Sequence, residues 1–117
     1  MLGPGNRLTR ESVETGRSQR GVYTQLVATG TIGVGDSVVH ITAAADQADF
    51  TVYLPYVGEA AGMVCTVHVT IGDDEVITLE DKSDSPGWSP LTMDADGDYV
   101  VLYCDGRYWH ILLNGIA

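Results

Sequence analysis

Residues 94–113, DADGDYVVLYCDGRYWHILL, constrain the fold more than any other stretch, because they specify both arms of a β-hairpin and the corner between them. Residues 99–104 are dense in β-branched and aromatic side chains. Asp105-Gly106 supplies the positive φ that a two-residue hairpin turn demands, and residues 108–113 return. A chain built around such an element needs further strands to cover its apolar side.

The rest of the sequence provides them. Residues 23–28 and 37–42 are strand-like runs joined through Gly30, Gly33 and Gly35, glycines that lack the spacing and following helix of a phosphate loop and so read as turns. Residues 43–48, AAADQA, are too few for a stable helix and read as a connection. Residues 50–55 alternate at period two, with Pro55 confining the strand end to an edge or bulge. Residues 63–71 form the longest run: Met63, Cys65, Val67, Val69 and Ile71 share one face, expected to be the core face, and Val64, Thr66, His68 and Thr70 share the other. Gly72-Asp73-Asp74 then turns into residues 75–79, which reads as a second hairpin. About seven short strands, no convincing ten-residue helix and glycine-marked corners predict an all-β fold. The expected form is a compact antiparallel sandwich or jelly-roll-like barrel over residues 23–117, preceded by an extended N-terminal arm, residues 1–22.

Charge divides the chain at the same place. Arg7, Arg10, Arg17 and Arg20 are four of its six basic residues, whereas fourteen of its sixteen acidic residues follow Arg20, opposed only by Lys82 and Arg107. A glycine-rich arm of this composition builds no core of its own. Leu2 and Leu8 are its candidate pegs into a partner, and the four arginines its candidate clamps on carboxylates. An acidic body argues against nucleic-acid binding, which needs clustered Lys and Arg. With no apolar segment near 18 residues and no leader pattern, the expectation is a soluble protein made in the cytoplasm, without a membrane span. Cys65 and Cys104 are then expected to be reduced, buried thiols rather than a disulfide.

Candidate chemistry is sparse. Asp94, Asp96 and Asp98 form D-x-D-G-D, which has the clustered carboxylates of a calcium loop but neither its glycine nor its bidentate glutamate in place, so a solvated turn is expected. Cys65 and His68 have C-x-x-H spacing, but residues three apart on a strand point to opposite faces and do not converge on zinc. No G-x-S-x-G elbow or nucleophile beside a base is present, so no catalytic residue, metal or cofactor is expected and the chain does not read as an enzyme. Residues 80–90, EDKSDSPGWSP, are a turn-rich loop carrying Trp88. A lid or subunit contact is the favoured reading of Trp88 over a ligand platform, because no second tryptophan nearby in sequence completes a stacking site.

Residues 50–113 carry a resemblance. A strand ending in Leu54-Pro55, the turn at Ala61-Gly62, the return Val76-Ile77-Thr78-Leu79 and the closing L-x-x-D-G-x-x-W-x-x-L pattern from Leu102 through Asp105, Gly106 and Trp109 to Leu112 resemble small β-structured virion modules of tailed bacteriophages. Capsid decoration (cement) proteins are the nearest in character. The resemblance implies a structural protein on the capsid surface, synthesised in the host cytoplasm, whose partners are the major capsid protein and other copies of itself, as a homotrimer. The alternative within the same class is a head- or tail-fibre module that recognises host carbohydrate, with Tyr56, Trp88 and Tyr108 as stacking candidates. The arm lies outside the resemblance.

Overall fold

The computed structural model describes residues 22–117, and among them there are nine strands and no helix. The strands are β1 (Val22–Leu26), β2 (Gly30–Thr31), β3 (Asp36–Ala43), β4 (Phe50–Tyr53), β5 (Val64–Ile71), β6 (Ile77–Glu80), β7 (Leu91–Met93), β8 (Tyr99–Cys104) and β9 (Trp109–Asn114). They form two mixed sheets, one ordered β1-β3-β5-β8-β9 and the other β2-β4-β6-β7.

Connectivity departs from the antiparallel expectation. Within the first sheet β1, β3 and β5 run parallel, and within the second so do β2, β4 and β6. The chain therefore winds as a short two-sheeted coil: β1 to β2, β3 to β4, β5 to β6, each turn laid beside the last. Parallel neighbours require a crossover, and here the crossover is a strand of the opposite sheet rather than a helix. Only then does the direction reverse, with β7 antiparallel to β6, β8 to β5 and β9 to β8. This is not the antiparallel pairing of a jelly roll. The expected hairpin of residues 63–71 with 75–79 is also replaced, because β5 and β6 lie in different sheets and the segment between them is a sheet-to-sheet corner.

That corner has identifiable causes. Gly72 donates its N–H to the Ala43 carbonyl at 2.8 Å, and a methyl at Gly72 would fall on the Ala45 amide nitrogen and within 2.9 Å of the Ala44 carbonyl carbon. Only glycine lets these two corners lie together. Glu75, buried, accepts N–H bonds from Asp46 (2.9 Å) and Asp73 (2.8 Å), tying the β3–β4 connection to the β5–β6 connection. Burial pushes its carboxyl up, but the amides of Asp73, Glu75, Asp46 and Gly72 outweigh that and leave it below the ordinary carboxylate range.

The core lies between the sheets and follows the alternation read from sequence. Cys65, Val67, Val69 and Ile71 of β5 point inward beside Val39 and Ile41 of β3 and Val100 and Leu102 of β8, facing Val52, Ile77, Leu79 and Met93 of the other sheet. Trp109 closes one end: its amide donates to Ser85 Oγ at 2.9 Å and its indole N–H to the Pro55 carbonyl at 3.3 Å. Pro55 itself follows β4, a central strand, so it ends the strand without being on an edge.

The β8–β9 hairpin forms as expected, with its corner displaced by one residue. Asp105 stands opposite Tyr108, to whose carbonyl its N–H donates at 3.2 Å, so the central pair is Gly106-Arg107. Gly106 alone has positive φ (96°), the arrangement of a turn with glycine first. The Asp105 side chain accepts from the amides of Arg107 and Tyr108, both at 2.8 Å, which is why aspartate and not glycine holds the position before the turn.

Candidate functional site

Two surfaces of the body can meet other molecules, and each follows from the register. The first is the outer face of the five-stranded sheet. Cross-strand pairing lines up Tyr23, Val38, Thr66, Val101 and Leu113 in one row across all five strands, and Gln25, His40, His68 and Tyr99 in the next. Tyr23, Val38, Tyr99 and Leu113 are exposed there, as is Val64 beyond the row. The five strands contain a single charged residue, Asp36, whose carboxylate accepts from Thr24 Oγ1 at 2.7 Å and from the Gly33 amide at 2.8 Å. Of the body's fourteen carboxylates, Asp36 alone lies in these five strands.

At its centre His40 and His68 stack in parallel, ring centroids 4.4 Å apart and planes 4° from coplanar. His40 Nδ1 lies 3.2 Å from Tyr23 Oη and Nε2 2.7 Å from Thr70 Oγ1, which fixes the ring. Loss of water, followed by the neighbouring His40, holds the His68 imidazole below its usual pKa. The opposite sheet presents a different outer face. Thr51, Thr78 and Thr92 pair across β4, β6 and β7, next to Tyr53 and Glu80, with the Lys82 ammonium 5.7 Å from the Tyr53 ring.

The second surface is an open groove of about 420 Å³ between the 86–91 segment and the start of β9, lined by Trp88, Leu91, Tyr108, Trp109, His110 and Ile111 among others. The loop above it is held by the buried Asp81, which accepts from the Ser85 amide at 2.9 Å and the Asp84 amide at 3.2 Å. His110 Nε2 meets Asp105 Oδ2 at 2.9 Å, and that bond, with the amides of Arg107 and Tyr108, pulls the Asp105 carboxyl down to about 2. The Arg107 guanidinium lies 5.5 Å from the Tyr108 ring. The groove thus has an aromatic floor, with the His110–Asp105 hydrogen bond beside it.

The predicted site residues separate accordingly. Leu2, Arg7, Leu8, Arg10, Arg17 and Arg20 lie outside the described residues. Trp88 and Tyr108 come together in the groove, and the tryptophan that the sequence did not place near Trp88 is Trp109, brought in by the fold rather than by chain proximity. Tyr56 is elsewhere, 50% exposed, its ring 5.3 Å from the Lys82 ammonium. The D-x-D-G-D segment is a turn with Asp94 and Asp96 exposed, as expected, but its last carboxylate turns inward. Asp98 is buried and accepts from the Ala95 amide (3.1 Å) and the Ala117 amide (3.0 Å), while Asp96 accepts from the Ile71 amide (3.0 Å). These carboxylates are the local acceptors of unpaired strand-end amides. Among the described residues no three His, Cys, Asp or Glu side chains gather closely enough to hold a metal. Cys65 and Cys104 are both buried free thiols, the first pushed up to about 12 by burial and then by Asp36, the second raised chiefly by burial. The outer face of the five-stranded sheet escaped the sequence reading, although its signal was there: strands β1, β5, β8 and β9 contain no charged residue at all.

No protein-family model matches the chain, and no curated protein matches it.

Proposed function

We propose that this chain is a structural protein of a tailed-bacteriophage virion, a capsid decoration protein that works by assembling and not by catalysis. The observation that carries the reading is the outer face of the five-stranded sheet, which exposes Tyr23, Val38, Val64, Tyr99 and Leu113 in a body whose carboxylates lie mostly in the connections between strands. Enzyme sites concentrate titratable groups in a cleft, whereas surfaces made for protein contact are depleted of charge and enriched in tyrosine at their centre. The basic arm complements the acidic body, so each copy has one electrostatic and one apolar means of holding its neighbours. Repeated over a symmetric shell, modest contacts add up to strong retention and clamp neighbouring capsid subunits together. The phage assignment itself rests on the sequence resemblance of residues 50–113.

Removing residues 1–20 tests the role of the arm. The truncated protein is expected to keep the circular-dichroism spectrum and melting of the full chain and to lose co-sedimentation with capsid shells. Shell binding that survives truncation contradicts the arm's role.

One observation favours a second reading, a carbohydrate-recognising fibre module: the fold unites Trp88, Tyr108 and Trp109 around one groove. A glycan array separates the two. Saccharide binding that disappears in Trp88→Ala selects the fibre reading, and an array without hits leaves the decoration reading.

A further inference from the structure

We propose that Asn114-Gly115, where β9 ends, is a site of spontaneous self-modification: the Gly115 amide nitrogen attacks the Asn114 side chain, and hydrogen bonds of the fold set when it can do so. The proposal goes beyond the structural-protein reading and does not depend on it. The chain has two asparagines, Asn6 and Asn114, and Asn114 alone precedes a glycine. Glycine puts no side chain in the way of its own amide nitrogen, which is therefore open to react. Packing demands the glycine, because a Cβ at Gly115 would fall on the Tyr99 ring. The fold cannot exchange it for a bulkier, slower neighbour.

The reaction needs only the chain and water. The Gly115 nitrogen bonds to Asn114 Cγ and closes a five-membered ring, while its proton passes through solvent to Nδ2. The Cγ–Nδ2 bond breaks and ammonia leaves. Water then opens the succinimide at Cγ, which gives aspartate, or at the Asn114 backbone carbonyl, which gives isoaspartate with the chain running through Cβ. One water is consumed, one ammonia is released, and nothing is oxidised or reduced. Asn114 is exposed, and its Oδ1 accepts from the Ile116 N–H at 2.9 Å, a donor aimed at the oxygen on which charge develops during the attack. Against this, the Gly115 N–H donates to the Tyr99 carbonyl at 2.8 Å and the Ala117 N–H to Asp98 Oδ1 at 3.0 Å. The first bond occupies the attacking group, and the second holds the backbone beyond it. Attack waits for this last rung beside β8 to open, and rungs at strand ends open more readily than those of a core. Asp105-Gly106 lacks the same reactivity: its carboxyl, pulled down to about 2, is ionised and resists a nucleophile, and its Oδ1 accepts two amides. Either product gives β9 its first carboxylate. Isoaspartate also lengthens the backbone, so the bonds to Tyr99 and Asp98 no longer fit the ladder.

Peptide mapping of the full chain held in mildly alkaline buffer reads the outcome. Cleavage after Arg107 releases residues 108–117. The mass of this peptide is expected to change by the exchange of ammonia for water, in two species that co-elute with synthetic aspartyl and isoaspartyl standards. Native protein should convert about ten to a hundred times more slowly than protein in denaturant, as opening two hydrogen bonds requires. Asn114→Gln, whose longer side chain would have to close a six-membered ring, should show no conversion, with circular dichroism confirming that it is folded. Purified isoaspartyl protein should melt below the unconverted protein. Asn114 that outlasts this range in the native protein overturns the proposal, and so does a native rate equal to that in denaturant, which gives the fold no part in it. An aspartyl product alone also overturns it, since direct hydrolysis of the side chain makes no isoaspartate. Melting that isoaspartate leaves unchanged overturns the gate, because the rungs it should break would not be holding the segment.

Discussion

Gly72 shows how one residue decides a crossing between sheets. Its missing side chain lets the β5–β6 corner rest on the Ala44–Ala45 backbone, so Gly72→Ala should cost about 2 kcal/mol or more in denaturant unfolding, as overpacking against backbone does. Gly58→Ala, where an added methyl meets nothing, should leave stability within about 0.5 kcal/mol. Equal effects at the two positions contradict the steric account. The cysteines make a second residue-level claim. With both thiols buried and their pKa values raised, iodoacetamide near pH 8 should label neither in the native protein and both in denaturant, counted by mass spectrometry. Labelling of native protein shows that the core opens. Residue-level reading of the sequence succeeded where burial alternates, as in Cys65, Val67 and Val69, because period two is a local property. It failed at Asp98, whose buried acceptor role depends on the C-terminal amide of Ala117 reaching it from 19 residues away.

At the scale of elements, His68 of β5, stacked on His40 of β3, gives the fold a pH response. The folded-state pKa of His68 lies below its unfolded value near 6.5, so the unfolded chain binds more protons in that window. The stabilisation is complete above pH 6.5 and is lost as pH falls through the folded pKa. Thermal melting from pH 7.5 downward should therefore decline below pH 6.5, and His68→Gln should flatten that decline. An unaltered slope in the variant contradicts the assignment. Asp105 acts in a separate, more acidic window. Its pKa is lowered to about 2, so its contribution is present above the usual 3.8 and is lost as pH falls towards 2. Asp105→Asn removes that second step and leaves the histidine step. The elements were legible unequally. The β8–β9 hairpin could be read because its partners are adjacent in sequence and its turn is written between them. The parallel pairing of β3 with β5 could not, since nothing local in residues 63–71 says whether the next strand pairs beside it or crosses to the other sheet. β2 and β7, two and three residues long, are too short to show a period.

The described residues form a short two-sheeted coil whose turns are parallel and whose end is closed by three antiparallel strands. The count of short strand-like runs with glycine-marked corners placed it among all-β folds, and charge separated arm from body, because both are sums over many residues and survive ignorance of topology. The exposed sheet face and the aromatic groove are products of pairing and crossing, so they emerged only with the fold. Together they underlie the proposal of a molecule held by neighbours: an acidic body, a sheet face of exposed tyrosine, valine and leucine, and a basic arm. Electron microscopy of the particle that carries this chain tests that account most directly. The prediction is density for the body at the joints between capsomers on the outer surface of the head, with the five-stranded sheet turned against a neighbouring subunit. The body at a fibre tip with that sheet facing solvent is the result that contradicts it.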